Sequence, residues 1–238
     1  MHQIKISDIT IDVVRKDIKN LHLAVYPPSG RVRIATPLKI DDEGVRLFAI
    51  SRLTWIKRQI SKFEAQARQT KREYLAGESH YFEGNRYLLN VIYQNTVQRV
   101  EIRNKKYIDL YVRLNSTVEQ RARVLNKWYR QRLKERIPTL IEKWQAIIEV
   151  QVDGWEVKQM KTKWGTCRRE ARRIWLNLEL AKKPVHCLEY IIVHELVHLL
   201  ERNHNDRFIA LMDTFMPQWR FYQKELNQHI LSFDEWHY

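Results

Sequence analysis

The chain has 238 residues, 44% hydrophobic and 11% aromatic, with 6 glycines and 6 prolines. That suffices for one large domain or two small ones and excludes a linker-rich or disordered protein. Its 42 basic against 28 acidic residues give a formal charge of +14, a balance that suits a polyanionic partner such as nucleic acid, or acidic substrates, as readily as a plain solvated surface.

From the N-terminus, Ile4, Ile6, Ile9, Ile11 and Val13 alternate, as do Leu21, Leu23 and Val25, then Val32 and Ile34, which predicts short strands in an antiparallel meander. Pro27-Pro28-Ser29-Gly30 reads as a turn between two of them. Met1-His-Gln-Ile-Lys lacks the apolar core of a secretory leader, and no apolar run approaches the ~20 residues of a membrane span. The expected location is therefore the cytoplasm, with no membrane partner. Asp41-Asp42-Glu43-Gly44 opens a helix that carries Phe48, Leu53, Trp55, Ile56 and Ile60 and is predicted to run toward Tyr74. Its other face is basic (Arg46, Arg52, Lys57, Arg58, Lys62, Arg68, Lys71, Arg72).

Residues 77–114 return to strands, with a hairpin at Glu83-Gly84-Asn85-Arg86 and further strands at Val91–Tyr93, Val100–Ile102 and Tyr107–Val112. Asn115-Ser116-Thr117 caps a long helix toward Ile148, which Pro138 should kink or divide. This helix too has a basic face, from Arg121 to Arg136. No internal repeat is visible. The expected division is a strand-rich N-terminal region with one long helix, 1–115, and a region carrying the chemistry, 116–238.

Trp155–Met160 and Arg172–Leu178 are read as a β-hairpin turned at Lys163–Cys167, with an edge strand able to hold an extended peptide by main-chain pairing. Cys167 and Cys187 form neither a CxxC site nor a disulfide framework and read as buried thiols of a reducing compartment. Pro184 leads into the next helix. Asp206–Met212 and the stretch from Pro217 to Leu226 are predicted helical. The whole is α+β.

The stretch Tyr190-Ile-Ile-Val-His194-Glu195-Leu-Val-His198-Leu-Leu-Glu201-Arg-Asn203-His204 contains HExxH and a third histidine six residues on. On a helix, His194 and His198 lie one turn apart on one face and converge on one metal ion. Zinc binds such nitrogens at about 2.0–2.1 Å and in catalytic sites keeps one position open for water. Glu195 is placed to act on that water as general base. The flanking residues are apolar nearly all round, so the helix is buried, and two histidines and a glutamate there would be costly without partners. His204, past the helix end, is the candidate third ligand. Its spacing is that of the metzincin pattern HExxHxxGxxH, with Glu201 in place of the glycine. The expected substitute is a helix ending near Leu200–Arg202 and a left-handed Asn203. Glu225 is the alternative carboxylate ligand.

Met160-Lys-Thr-Lys-Trp164-Gly165-Thr166-Cys167, Ile174…Asn177…Leu180…Pro184 and Tyr190…His194-Glu195…His198…Asn203-His204…Phe208 together resemble the YgjP-like metallopeptidases, relatives of the SprT-like group. The resemblance is close over roughly 155–220 and one of layout before that. Thr166 stands where the family commonly has Ser, and Ile209 where it has an aromatic residue. The resemblance implies a zincin-like domain with the HExxH helix packed on a small β-sheet. It also implies Zn2+ as cofactor, His194, His198 and His204 as its ligands, and Glu195 as catalytic base. The expected function is a zinc metallopeptidase acting on protein or peptide substrates. The alternatives are a zinc hydrolase of another amide or small molecule, and a nucleic-acid-associated protein whose metal is structural. Asn177, Glu201 and Tyr190 are candidates to support the ligands, Trp164 is read as packing, and His186 and His229 as ordinary.

Overall fold

The computed structural model describes residues 2–26, 30–65, 72–160 and 163–228. The expected turn at Pro27–Ser29, the side chains of Lys62, Arg68 and Lys71, and His229 lie outside them. The chain divides into two compact units, Met1–Thr70 and Lys71–Tyr238.

In the first unit, β1 (His2–Ile6), β2 (Ile9–Lys16), β3 (His22–Tyr26) and β4 (Arg31–Pro37) form a sheet in the order β1-β2-β4-β3. The alternation places Ile9, Ile11, Val13, Val32 and Ile34 in the core. The sheet is not a meander: β3 pairs on the far side of β4, so β2 and β4 meet in parallel. The one helix expected here is two, α1 (Asp42–Ser51) and α2 (Leu53–Ala65). They part at Arg52, where the Ser51 hydroxyl donates to the Phe48 carbonyl at 2.7 Å and Arg52 N–H donates three residues back to Ala49. Such side-chain competition for a helix carbonyl breaks the regular ladder.

The second unit opens with β5 (Ser79–Phe82), β6 (Asn85–Tyr93), β7 (Arg99–Arg103) and β8 (Tyr107–Val112), in the order β5-β6-β8-β7. The expected hairpin joins β5 to β6 through Glu83 and Gly84, both at positive φ, as a two-residue loop on twisted strands requires. The order and the pair orientations repeat those of the first sheet, β6 against β8 being the parallel pair. Buried Ile108, Leu110 and Val112 take the places of Val32, Ile34 and Thr36. The chain thus contains a structural repeat that its sequence hides. One reason is visible at the centre of the parallel pair, where Asp12 opposite Arg33 becomes Asn90 opposite Asp109.

Helix α3 (Val118–Ile148) begins with a capping box between Thr117 and Gln120 and passes through Pro138 undivided. Its stripe Leu125, Tyr129, Leu133, Ile137, Ile141, Trp144 and Ile148 is buried at helical spacing. One apolar cluster joins this stripe to Leu89, Ile108 and Leu110 of the sheet before it and to Ile192, Val193 and Leu196 after it. The expected division near residue 115 therefore falls inside one continuous core. The basic face of α3 is largely engaged. Arg121 donates to the carbonyls of Ser116 and Glu73, Arg130 to that of Val157, Arg132 pairs with Glu135 and Arg136 with Glu83.

The third sheet corrects the expected hairpin. Strands β9 (Gly154–Lys158) and β11 (Arg173–Asn177) run parallel. Gly165–Arg168, read from sequence as a turn, is strand β10, paired antiparallel with β11 at the edge of the order β10-β11-β9. Buried Asn177 makes this path possible. Its amide donates to the carbonyls of Met160 (2.7 Å) and Lys163 (2.8 Å), and its backbone N–H donates to Trp164 O. A 3-10 turn over Leu178–Lys182 leads to α4 (Val185–Val197), then α5 (Asp206–Phe215) and α6 (Trp219–Gln228). Among the described residues no helix is long and apolar enough to cross a membrane.

Candidate metal centre

Helix α4 is buried on nearly every side, touching α3, β10, β11, α5 and α6. It ends at Val197, earlier than the spacing predicted, with His198 as its cap. The final turn tightens: Leu199 and Leu200 N–H donate three residues back, to Leu196 and Val197. The left-handed residue expected at Asn203 is absent, since Asn203 does not take a positive φ. Glu201 does the glycine's work by other means. Its carboxylate accepts from Asn203 N–H at 3.1 Å, and its carbonyl lies 3.0 Å from His198 Nδ1. Asn205 then caps α5 by accepting from Phe208 N–H at 3.0 Å.

This reversal brings His204 back over the helix. A ring nitrogen from each of His194, His198 and His204 lies within 4.8 Å of the others, and Nε2 of His204 is 3.0 Å from Nε2 of His194. Tetrahedral ligation at about 2.0–2.1 Å sets two nitrogens roughly 3.3 Å apart, so the spacing fits one shared ion of the zinc type. The bond from His198 Nδ1 to the Glu201 carbonyl leaves Nε2 of that ring free to ligate, the arrangement typical of metal-binding histidines. Burial pushes His194 down to about 3, helped by the two neighbouring imidazoles, which keeps its ring neutral. The ring of Phe208 packs against all three imidazoles, with centroids 4.7–5.0 Å away.

Glu195 is 4% exposed. Burial raises its carboxyl to about 8, and the positive charge of Lys163 pulls weakly the other way. Its Oε2 has no hydrogen-bond partner among the described residues. The site opens on a cleft of about 480 Å³ whose wall is β10. Tyr190 lines it, edge-on to His194 and stacked on Trp219, and so belongs to the wall as well as the core. Trp164 also lines the cleft, with Lys183 Nζ 5.6 Å from its ring. Cys167, expected buried, is half-buried and faces the same cleft.

Other expected partners lie elsewhere. Asn177 donates to the carbonyls of Met160 and Lys163 rather than to a histidine. Glu225 sits 2.6 Å from Nε2 of His186, within hydrogen-bond distance, at the opposite end of α4 from His198. Two contributors were not singled out from sequence: Gly165, whose lack of a side chain admits Glu195, and Phe208 as a platform for the rings. Their signal was their place in the motifs on either side of HExxH.

A comparison with curated proteins found no match. Two solved structures are similar over part of the chain. The metallopeptidase zymogen of Pyrococcus abyssi abylysin is 18% identical, with a TM-score of 0.36, covering 38% of this chain and 90% of that one. The metallopeptidase zymogen of Methanocaldococcus jannaschii jannalysin is 20% identical, with a TM-score of 0.35, covering 39% of this chain and 94% of that one. Likenesses this slight carry no argument. The family comparison does: the YgjP-like metallopeptidase domain matches residues 19–229, across both compact units. Neither this match nor the engaged face of α3 supports a nucleic-acid partner. A metallopeptidase requires a catalytic metal and a peptide substrate, and a histidine cluster beside a buried carboxylate at an open cleft is what such an enzyme needs; the chain belongs to the YgjP-like metallopeptidase family.

Proposed function

We propose that the protein is a zinc-dependent peptidase of zincin-like architecture, with His194, His198 and His204 as the metal ligands and Glu195 as general base. The observation that carries this reading is the convergence of three imidazole nitrogens next to a buried carboxylate with one unpartnered oxygen. Three imidazoles suit zinc, and three protein ligands leave room for catalysis where a structural site has four. When bound there, zinc supplies Lewis-acid polarisation of the scissile carbonyl and acidifies water.

The protein's own groups do the rest. Glu195 accepts a proton from the attacking water on Oε2 and returns it to the leaving amine. Edge strand β10 offers unpaired main-chain groups along the cleft, so an extended peptide adds to it as a further strand. Phe208 holds the imidazoles in place by packing.

The test is Glu195→Gln, which keeps the shape and removes the base. It should retain about one zinc per chain and lose proteolysis by a factor of ~10²–10⁴. Undiminished turnover would refute the role given to Glu195.

A further inference from the structure

We infer that the cleft selects peptides with acidic side chains on both sides of the scissile bond, read by Lys163, Arg169 and Arg202. The inference rests on the peptidase reading above and names its substrate class.

Three exposed cations line the cleft, and the one carboxylate among its lining residues is Glu195, which is 4% exposed. A substrate therefore meets positive charge and almost no accessible negative charge. The cations are placed along the path a peptide would take. Lys163 lies two residues before β10 and Arg169 directly after it. Arg202 lines the same cleft from the segment that carries His204. None of the three forms an ion pair among the described residues. This sets them apart from Arg132, Arg136, Lys143 and Arg173, whose charges are matched by glutamates.

The spacing sets the register. Lys163 and Arg169 bracket strand β10, whose four residues Gly165–Arg168 span roughly 13 Å at about 3.3 Å per residue. A peptide paired with β10 runs the same length, with its scissile carbonyl near the middle, beside Glu195 and His194. Acidic side chains two or three positions to either side then fall opposite Lys163 and Arg169. The net charge of +14 adds long-range attraction for such a chain.

The experiment uses the zinc-loaded full chain and quenched fluorescent peptides that are identical except for Asp or Asn at the flanking positions. Denatured casein serves as a general substrate. Exposed charge pairs contribute a factor of about 2–5 each, so kcat/KM should favour the Asp peptide about tenfold at low salt. The preference should shrink when salt cuts the screening length to a few ångströms. Reversing the three cations (Lys163→Glu, Arg169→Glu, Arg202→Glu) should shift the preference to a Lys-bearing peptide. Single reversals, checked for native circular dichroism, stand in if the triple variant does not fold. Anisotropy of labelled peptides on the Glu195→Gln protein measures selection without turnover, and the Asp peptide should bind tighter. Casein cleavage with equal rates and equal binding for the Asp and Asn peptides would overturn the inference and leave the peptidase reading standing. Tighter binding of the Asp peptide with no cleavage of any substrate would support the inference and overturn that reading.

Discussion

A β-carbon at Gly165 would lie 2.5 Å from Oε1 of Glu195 and 2.9 Å from Cγ2 of Ile191. The edge strand rests on the carboxylate, with no space between them for even a methyl group. Gly165→Ala must therefore push Glu195 or the strand aside. A misplacement of about 1 Å costs on the order of 10²-fold in rate. We expect proteolysis to fall by at least that factor while zinc content is unchanged, since the substitution does not touch the histidines. Wild-type turnover by the alanine variant would show that Glu195 can work from another position.

The ligand set is tested by comparing His204 with Glu225. His204→Ala leaves two nitrogens for the ion, too few for tight binding, and should lose zinc on dialysis against a mild chelator. Glu225→Ala should keep zinc, because its carboxylate is spent on His186. Loss of this part-exposed pair should lower stability by no more than about 1 kcal/mol. If the outcomes are reversed, Glu225 is the ligand.

Asn177 is fully buried and makes hydrogen bonds to Met160, Lys163 and Glu179. Asn177→Ala removes the part-buried bonds to the Met160 and Lys163 carbonyls, at a cost of about 0.5–1.5 kcal/mol for each. A lower denaturation midpoint should accompany a rise in KM, because Lys163, released from Asn177, lines the cleft two residues before β10. A stability loss with unchanged KM would mean that β10 holds its place without Asn177.

Acid should destabilise the second unit through His80. Its ring is 2% exposed. Burial lowers it from 6.5 to about 4, with Arg72 adding to the shift and Glu78 opposing it. Because the folded value lies below the unfolded one, the unfolded chain binds more protons between them. The contribution of His80 to stability is thus complete above about 6.5 and is lost as pH falls toward about 4, with a slope of at most ~1.4 kcal/mol per pH unit. Denaturant titrations of wild type and His80→Gln at several pH values read this slope as the difference between the two curves. Parallel curves would remove His80 from the account.

The HExxH stretch was legible because helix geometry alone relates residues four apart, and the apolar flanks of α4 announced its burial. Strand positions were legible for the same reason: period-two alternation survives in Ile9, Ile11 and Val13 and in Ile108, Leu110 and Val112. Strand pairing was not, because alternation says which face is buried and nothing about which neighbour a strand chooses. So β2 beside β4 and β9 beside β11 ran parallel against expectation. Strand β10 is only four residues long and begins with glycine, too short for a period to show. The turn to His204 was misread at Asn203 because a side chain, the carboxylate of Glu201, replaced the backbone conformation that the spacing suggested.

The continuous core of the second unit has a consequence for the order of assembly. Everything α3 packs against in sheet β5-β6-β8-β7 precedes it in the chain, and α4 follows both. The elements of the wall that receives α4 are therefore all synthesised before the first of the three histidines. The three histidines thus enter the chain after the wall they meet and before α5 and α6, which also touch α4.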